Sequence, residues 1–372
     1  MSSVLEHRRD YLRLMRQFTI DKGFFTVNDI HHAAGIPRST AQDWVYRLQN
    51  EGCVLLKEEK RGRNAARYAA ISAMPASTCR RIFTTVDGDQ VAIYHECMSS
   101  ACAAFCGYHH ALAGGILYHV ERDGTLLMET AFLGEREIAV GLAPLSAVGV
   151  CSVERQGDAI IQTIRCIGGP AYSLSGMMAR AEGVLRVEPR HIDHIVEGKV
   201  WTSACMQVII GVDDTDTRDG GATFALALAL LNHLSGIKGI IPISHHVVML
   251  NPDIFRKTAG NSASYIEIAI LPERFFDLAG QVRRFVSDES FSVEWGIAIR
   301  AGFRPFKGLQ EYGRLVREQV ITRAVAEATA EQFGIMLIGG NGVIGALGAV
   351  ALAGIPYEIQ LDPAKNDFPE LC

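Results

Sequence analysis

The stretch Met206-Gln-Val-Ile-Ile-Gly-Val212 leads into Asp213, Asp214 and Asp216, then Gly220-Gly221, then the apolar run Thr223–Leu234. No other part of the chain restricts its fold as much. A short apolar run closed by an acidic turn reads as a buried strand, and the longer run after it has the length of a helix. The order is strand, acidic turn, glycine turn, helix. Three carboxylates within four residues repel one another unless a cation holds them, and hard oxygen donors suit Mg²⁺. Gly220 and Gly221 let backbone approach a phosphate, while the helix N-terminus offers free N–H groups and a favourable dipole. Gly211 to Thr223 therefore reads as a metal–phosphate loop of the kind phosphoryl transfer requires. The plainer alternative is an acidic surface turn with a helix cap. Such a turn needs neither paired aspartates straight after a buried strand nor a glycine pair before the helix.

A chain of 372 residues has room for two or three domains. At 48% hydrophobic and 21% charged residues it has the composition of a folded globular protein, which excludes a disordered one. Its net charge of −5 is uneven, because residues 1–70 hold twelve Lys/Arg against eight Asp/Glu. A basic front on an acidic body points to a nucleic-acid-facing end. The N-terminus is charged from Glu6 to Arg16, where a secretory segment would be apolar. Phe224–Leu231 and Val343–Ile355 are too short or too glycine-rich to span a membrane. The nine scattered cysteines are then expected as reduced thiols, and the protein as cytoplasmic.

Residues 1–72 form the first expected domain. Leu5 to Phe18 has helical apolar spacing, Thr26 can cap a helix over Val27–Ala34, and Gly35 marks its end. A third helix opens at Pro37 and places Ala41, Trp44, Val45 and Leu48 on one core face. Val54 starts a strand, Arg61-Gly-Arg63 reads as a hairpin tip, and Ala66–Ala70 returns. Three helices followed by a two-stranded wing resemble a winged helix-turn-helix. The outer side of the third helix, with Arg38, Ser39, Gln42, Tyr46 and Arg47, would then face a nucleic acid, and Arg61 and Arg63 would reach phosphates. A protein-interaction or dimerisation role, including a homodimer, stays open.

Residues 80–200 read as an α+β domain with no named substrate. Asp123-Gly124 is a hairpin turn between Gly115–Arg122 and Thr125–Phe132. Strands are expected over Ile138–Leu142, Gly149–Glu154 and Ala159–Ile167, and a helix over Ala171–Glu182. Cys97, Cys102, Cys106 and His109 lie within a short span that also holds His95 and His110, a mixture that suits Zn²⁺ or an Fe–S cluster. Their spacing matches neither paired zinc-ribbon cysteines nor a ferredoxin run, and buried cysteines serve equally as plain core residues.

Two further blocks fall in the third expected domain, residues 205–372. Arg256, Lys257, Thr258 and Asn261 offer cations and donors to phosphate oxygens, or else form a solvated basic turn. Gly340-x-Gly342-x-x-Gly345 follows the strand Ile335–Ile338 and opens a helix. Too few residues follow for a Rossmann fold, so it reads as a second phosphate-facing loop or as tight helix–strand packing.

On these residues the chain resembles the archaeal tRNA-isoleucine agmatinylcytidine synthetases. Gly-Val-Asp-Asp-Thr-Asp at Gly211–Asp216 is similar to that family's Gly-Ile-Asp-Asp-Thr-Asp motif. Leu250 to Asn261 resembles its Asn-Pro…Lys-Thr-x-Gly-Asn segment, and Gly339 to Ala346 its glycine-rich block. The resemblance implies a kinase-like domain using ATP and Mg²⁺, with Asp213, Asp214 and Asp216 on the metal and Thr223 receiving phosphate. No carboxy-terminal OB-fold or zinc ribbon is expected, so the agmatine-to-cytidine reaction does not come with the motif. Gly221-Ala222 also stand where the synthetases usually carry bulkier residues. In layout the chain is similar to the methanogenesis marker protein eleven family, which implies an archaeal, methanogen-associated protein.

The combined expectation is a multidomain α+β and α/β protein: a winged helix-turn-helix, an α+β domain and a kinase-like nucleotide-binding domain. Asp213, Asp214, Asp216 and Thr223 would carry catalysis. Gly220, Gly221, Lys257, Thr258, Asn261, Gly340, Gly342 and Gly345 would hold ATP. The competing expectation is a transcription regulator that binds DNA and senses a nucleotide without turning it over.

Overall fold

The computed structural model describes all residues except 1, 61, 63, 72, 74–78, 168–177, 256, 259, 304–306, 367 and 369–372. Arg61, Arg63 and Arg256 thus lie outside the described residues, as does most of the helix expected over Ala171–Glu182. The chain divides into two compact units, Met1–Arg80 with Gly176–Ala181, and Arg81–Ser175 with Glu182–Cys372. Among the described residues no helix is long and apolar enough to cross a membrane.

The first unit has three helices, α1 (Ser2–Lys22), α2 (Val27–Ala34) and α3 (Arg38–Asn50), then an antiparallel pair, β1 (Val54–Glu58) and β2 (Arg67–Ala70). Thr26 accepts from the Asp29 N–H while the Asp29 carboxylate takes the Thr26 N–H, a reciprocal cap that fixes where α2 begins. Gly35 ends it at φ 63°, a left-handed turn that costs glycine no side-chain clash. Phe25, Ile30, Ala41, Val45 and Leu48 are fully buried together, so α2 and α3 are held by their apolar stripes.

The second unit is built on one long strand. It runs through β3 (Cys79–Asp87), β4 (Gln90–Cys97), α4 (Ser100–Ala113), β5 (Leu117–Asp123), β6 (Leu126–Phe132) and β7 (Gly134–Glu135). Then come β8 (Val148–Gln156), β9 (Ala159–Ile167), β10 (Val184–Ile192), β11 (Ile195–Asp213) and α5 (Thr223–Ser235). The remainder is β12 (Ile240–Met249), β13 (Ser262–Ile270), α6 (Phe275–Glu289), β14 (Gly296–Ala301), α7 (Lys307–Glu318), α8 (Arg323–Gln332), β15 (Met336–Gly339), α9 (Val343–Ala351) and α10 (Tyr357–Gln360). The first half of β11 pairs with β9 and β10, and Ala204 and Cys205 pair in parallel with β3. Its last half pairs antiparallel with β13 and β14. The result is a mixed α+β fold in which β11 ties together three sheet regions, β5-β6-β4-β3, β10-β11-β9-β8-β7 and β12-β13-β11-β14-β15.

Alternation along β11 decides what each face carries. Val208, Ile210 and Val212 pack with Leu226, Leu230 and Leu234 of α5 and Leu278, Val282 and Val286 of α6. Ile209 faces the opposite layer of α7, α8 and α9. Gly211 and Asp213 share that second face, which delivers Asp213 to the first turn of α9. Helix α9 is buried from Gly345 to Ala351, as expected of a helix that is apolar all round.

One expected strand does not form. Ile138–Leu142 makes only an isolated bridge, Val140 to Ser146. The Gly141 N–H bonds the Ser146 carbonyl at 2.8 Å and the Leu145 N–H bonds the Leu142 carbonyl at 3.0 Å, so a local turn takes the groups a ladder would need.

Candidate functional site

The end of β11, the loop after it and the N-terminus of α9 border a cavity of about 850 Å³. One side carries Asp213, Asp214, Asp216 and Arg218; another carries Lys257, Thr258 and Asn261. A third carries Asn341, Gly342 and Gly345, and Leu250, Ile254, Val316, Ile321 and Ile344 add an apolar wall. Three blocks far apart in sequence therefore meet at one place. Gly220, Gly221, Thr223 and Gly340 are not part of the lining.

The acidic loop is held by its threonines. Asp214 sits at φ 56°, a left-handed conformation that turns the chain sharply after the strand. Thr223 is buried, and its hydroxyl donates to Asp216 Oδ1 at 3.0 Å while accepting from the Thr215 N–H at 3.3 Å and the Thr215 hydroxyl at 3.1 Å. The Thr258 hydroxyl donates to Asp216 Oδ2 at 2.7 Å, joining the second block to the first. Both oxygens of Asp216 are thus aimed by hydroxyl donors. Gly220 and Gly221 are needed for a different reason from phosphate approach. A Cβ on Gly220 would lie 2.9 Å from the Phe291 ring, and one on Gly221 3.1 Å from Asp216.

Asp213 lies against Gly345, where a Cβ would come within 1.7 Å of its Oδ2. Burial pushes the Asp213 carboxyl well above the usual carboxylate range, and the charges of Asp214 and Asp216 push it the same way. A cation bound beside the loop would relieve that repulsion, and a hard divalent ion suits this donor set. Among the described residues no three His, Cys, Asp or Glu groups are gathered closely enough to hold an ion unaided. An ion here would complete its shell with phosphate oxygens and water, as Mg²⁺ does.

The glycine block has a packing role as well as a place in the cavity wall. The Gly340 N–H bonds the Trp295 carbonyl and the Gly342 N–H the Glu294 carbonyl, each at 2.7 Å. Those two amides are already engaged, so a ligand meets this block by close approach and not by donation from them. Lys257 bonds the Pro252 carbonyl, and the Asn261 amide bonds the Asn251 carbonyl at 2.9 Å, which closes the second block into a compact loop.

Several lining residues carry no sequence signal. Glu294 brings a fourth carboxylate and accepts the Asn341 N–H at 3.0 Å. Arg323 brings a cation, tied to Glu327 at 2.7 Å and to the Gly339 carbonyl at 3.2 Å. Phe255, 99% exposed, stands at the rim.

The remaining expected residues fall in two other places. On α3, Arg38 and Tyr46 are exposed and Gln42 half-buried, three positions along one helical stripe. Arg38 bonds the Asn28 side chain at 2.9 Å, and Arg47 bonds Glu51 at 3.2 Å over the Trp44 ring. In the second unit Cys97, Cys106 and His110 come together beneath α4 with His95 and Glu129. His109 turns elsewhere, its Nδ1 accepting the Ala147 N–H at 3.2 Å, and Cys102 lies in the first turn of α4, its N–H on the Ser99 hydroxyl at 3.2 Å.

The chain is similar to known proteins over part of its length. Residues 209–270 match the family described as the TiaS TCKD domain, so the chain carries a TiaS-like domain. An uncharacterized protein of Methanocaldococcus jannaschii is 29% identical over 262 residues, covering 67% of this chain and 86% of that protein. The tRNA 2-agmatinylcytidine synthetase TiaS of Pyrobaculum neutrophilum is 31% identical over 152 residues, 39% of this chain and 35% of its own length. The crystal structure of TiaS in complex with its tRNA and ATP aligns at 23% identity and a TM-score of 0.35, over 39% of this chain and 36% of that one. The chain thus spans about a third of the length of the synthetases it matches.

Proposed function

We propose that the cavity binds ATP with Mg²⁺ and transfers a phosphoryl group to an acceptor. The observation that carries this reading is the convergence of Asp213, Asp214 and Asp216 at one end of a cavity whose lining also brings Lys257, Arg323 and an apolar wall. Asp213, Asp214 and Asp216 hold the metal, which would neutralise charge on the transferring phosphoryl group. Lys257 and Arg323 offer cations to phosphate oxygens, and the wall of Leu250, Ile254, Val316 and Ile321 suits a base. Thr223 acts as a positioning residue, because its hydroxyl is buried and spent on Asp216. Similarity to tRNA 2-agmatinylcytidine synthetases makes RNA the acceptor class to try first.

Incubation of the purified protein with ATP and Mg²⁺, with and without bulk RNA, tests the reading by resolving ADP, AMP and phosphate. Wild type is expected to turn ATP over and Asp213→Ala to lose it. Thr223→Ser is expected to keep activity, and Thr223→Ala to lose about 10–100-fold, the usual cost of removing a partner that orients a metal ligand. No turnover in wild type under any of these conditions would sink the proposal.

The amino-terminal unit is proposed to be a winged helix that holds nucleic acid along Arg38, Gln42, Tyr46 and Arg47 of α3. An Arg38→Ala/Arg47→Ala double variant is expected to weaken gel-shift affinity for native nucleic acid several-fold, most at low salt. Equal affinity in variant and wild type would assign that face to a protein partner.

A further inference from the structure

Beneath α4 lies a cluster that the nucleotide cavity does not use. His95 and Cys97 stand two residues apart on β4, so they share a face. Cys106 and His110 stand four apart on α4 and also share a face. Glu129 of β6 lies between the two imidazoles. His95, Cys97 and His110 are each 2% exposed and Glu129 is fully buried. Glu129 Oε1 bonds His110 Nδ1, while Oε2 stands 3.7 Å from His95 Nε2 and neither of those two atoms has a hydrogen-bond partner. The Cys106 thiol is hydrogen-bonded with Cys97, and both imidazoles are near enough for their charge to act on it.

Buried unpartnered polar atoms are costly, and native structures retain few without a reason. Two imidazoles, two thiols and a carboxylate with spare acceptor capacity make an expensive core but a good metal cradle. We propose that His95, Cys97, Cys106 and His110 bind one Zn²⁺, with Glu129 as the outer carboxylate that orients both imidazoles. Two thiolates and two imidazoles are a donor set that zinc takes in tetrahedral geometry. The four donors do not yet meet at one point, so binding draws them inward. On binding, the two thiols release their protons to solvent, and the ion with its two thiolates is neutral. Glu129 then takes an N–H from each imidazole, His110 through Nδ1 and His95 through Nε2. The other ring nitrogens are left for the metal. The 3.7 Å gap to His95 closes to a hydrogen bond.

Metal analysis of the full-length protein, purified without chelators, tests the site. About one zinc per chain is expected in wild type and in Cys102→Ser and His109→Ala, and little in Cys97→Ser or Cys106→Ser. Should the cysteine variants fail to fold, Co²⁺ added to metal-stripped wild type is the second measurement. Thiolate-to-cobalt absorption with tetrahedral d–d bands is expected, and their absence overturns the site. Glu129→Gln is expected to bind zinc about 10–100-fold more weakly while keeping the same cobalt spectrum. Iron with acid-labile sulfide in place of zinc, or less than about one zinc per three chains in wild type, also overturns it.

Discussion

Gly345→Ala is expected to reduce ATP turnover by about 10²-fold, as much as Asp213→Ala, while leaving the fold intact. The new Cβ would stand 1.7 Å from Asp213 Oδ2 and 2.7 Å from its Cγ, so the carboxylate has to leave its place. A side chain yields here, not a backbone, and the penalty falls on the site. In a helix, Gly→Ala is otherwise stabilising by about 1 kcal/mol. Lower turnover with an unchanged or raised Tm therefore isolates the position of one carboxylate. Rates and thermal melts on the same preparation check this. Undiminished turnover would mean that Asp213 is not needed where the structure puts it.

Gly211→Ala and Gly296→Ala are expected to have the largest effects on stability. A Cβ on Gly211 would lie 2.1 Å from the Ala346 carbonyl oxygen, and one on Gly296 would lie 1.9 Å from the Val343 nitrogen. Both obstacles are α9 backbone, which cannot rotate aside. The helix would have to lift from β11 and β14, opening contacts along its buried length. Overpacking costs about 1–3 kcal/mol and occasionally more. Because a whole helix is displaced, about 3 kcal/mol or more is expected, a fall in Tm of roughly 6 °C or more. Gly280→Ala on α6 is the control, since its Cβ would meet nothing within 4 Å. Equal melting of all three variants would mean that α9 does not sit this close to the sheet.

The acidic loop is legible in the sequence because its signals are local. Val208, Ile210 and Val212 alternate, the aspartates follow at once, and the α5 run is long enough to be a helix and nothing else. Thr26 and Gly35 are legible for the same reason, since capping depends on a few neighbouring residues. Glu294, Val316 and Arg323 reach the cavity from positions far beyond the loop in the chain, and nothing beside them in the sequence announces it.

The thiol and imidazole cluster shows the same limit in a sharper form. His109 and His110 look alike in sequence, but one residue is about 100° of helix, which sends one to Ala147 and the other to Glu129. Glu129 gives no sign of its role, because a lone glutamate in an alternating strand reads as solvent-facing. The glycine block carries two readings that the fold does not make exclusive. Gly342 and Gly345 line the cavity, and Gly345 also lets α9 rest on Asp213.

The most direct test of the nucleotide site is calorimetric titration of ATP into wild type and Asp213→Ala, each with Mg²⁺ and with EDTA. Saturable binding that requires both Mg²⁺ and Asp213 is the expected result. Binding of equal strength in all four titrations, or none in any, would contradict a metal–nucleotide site at the end of β11.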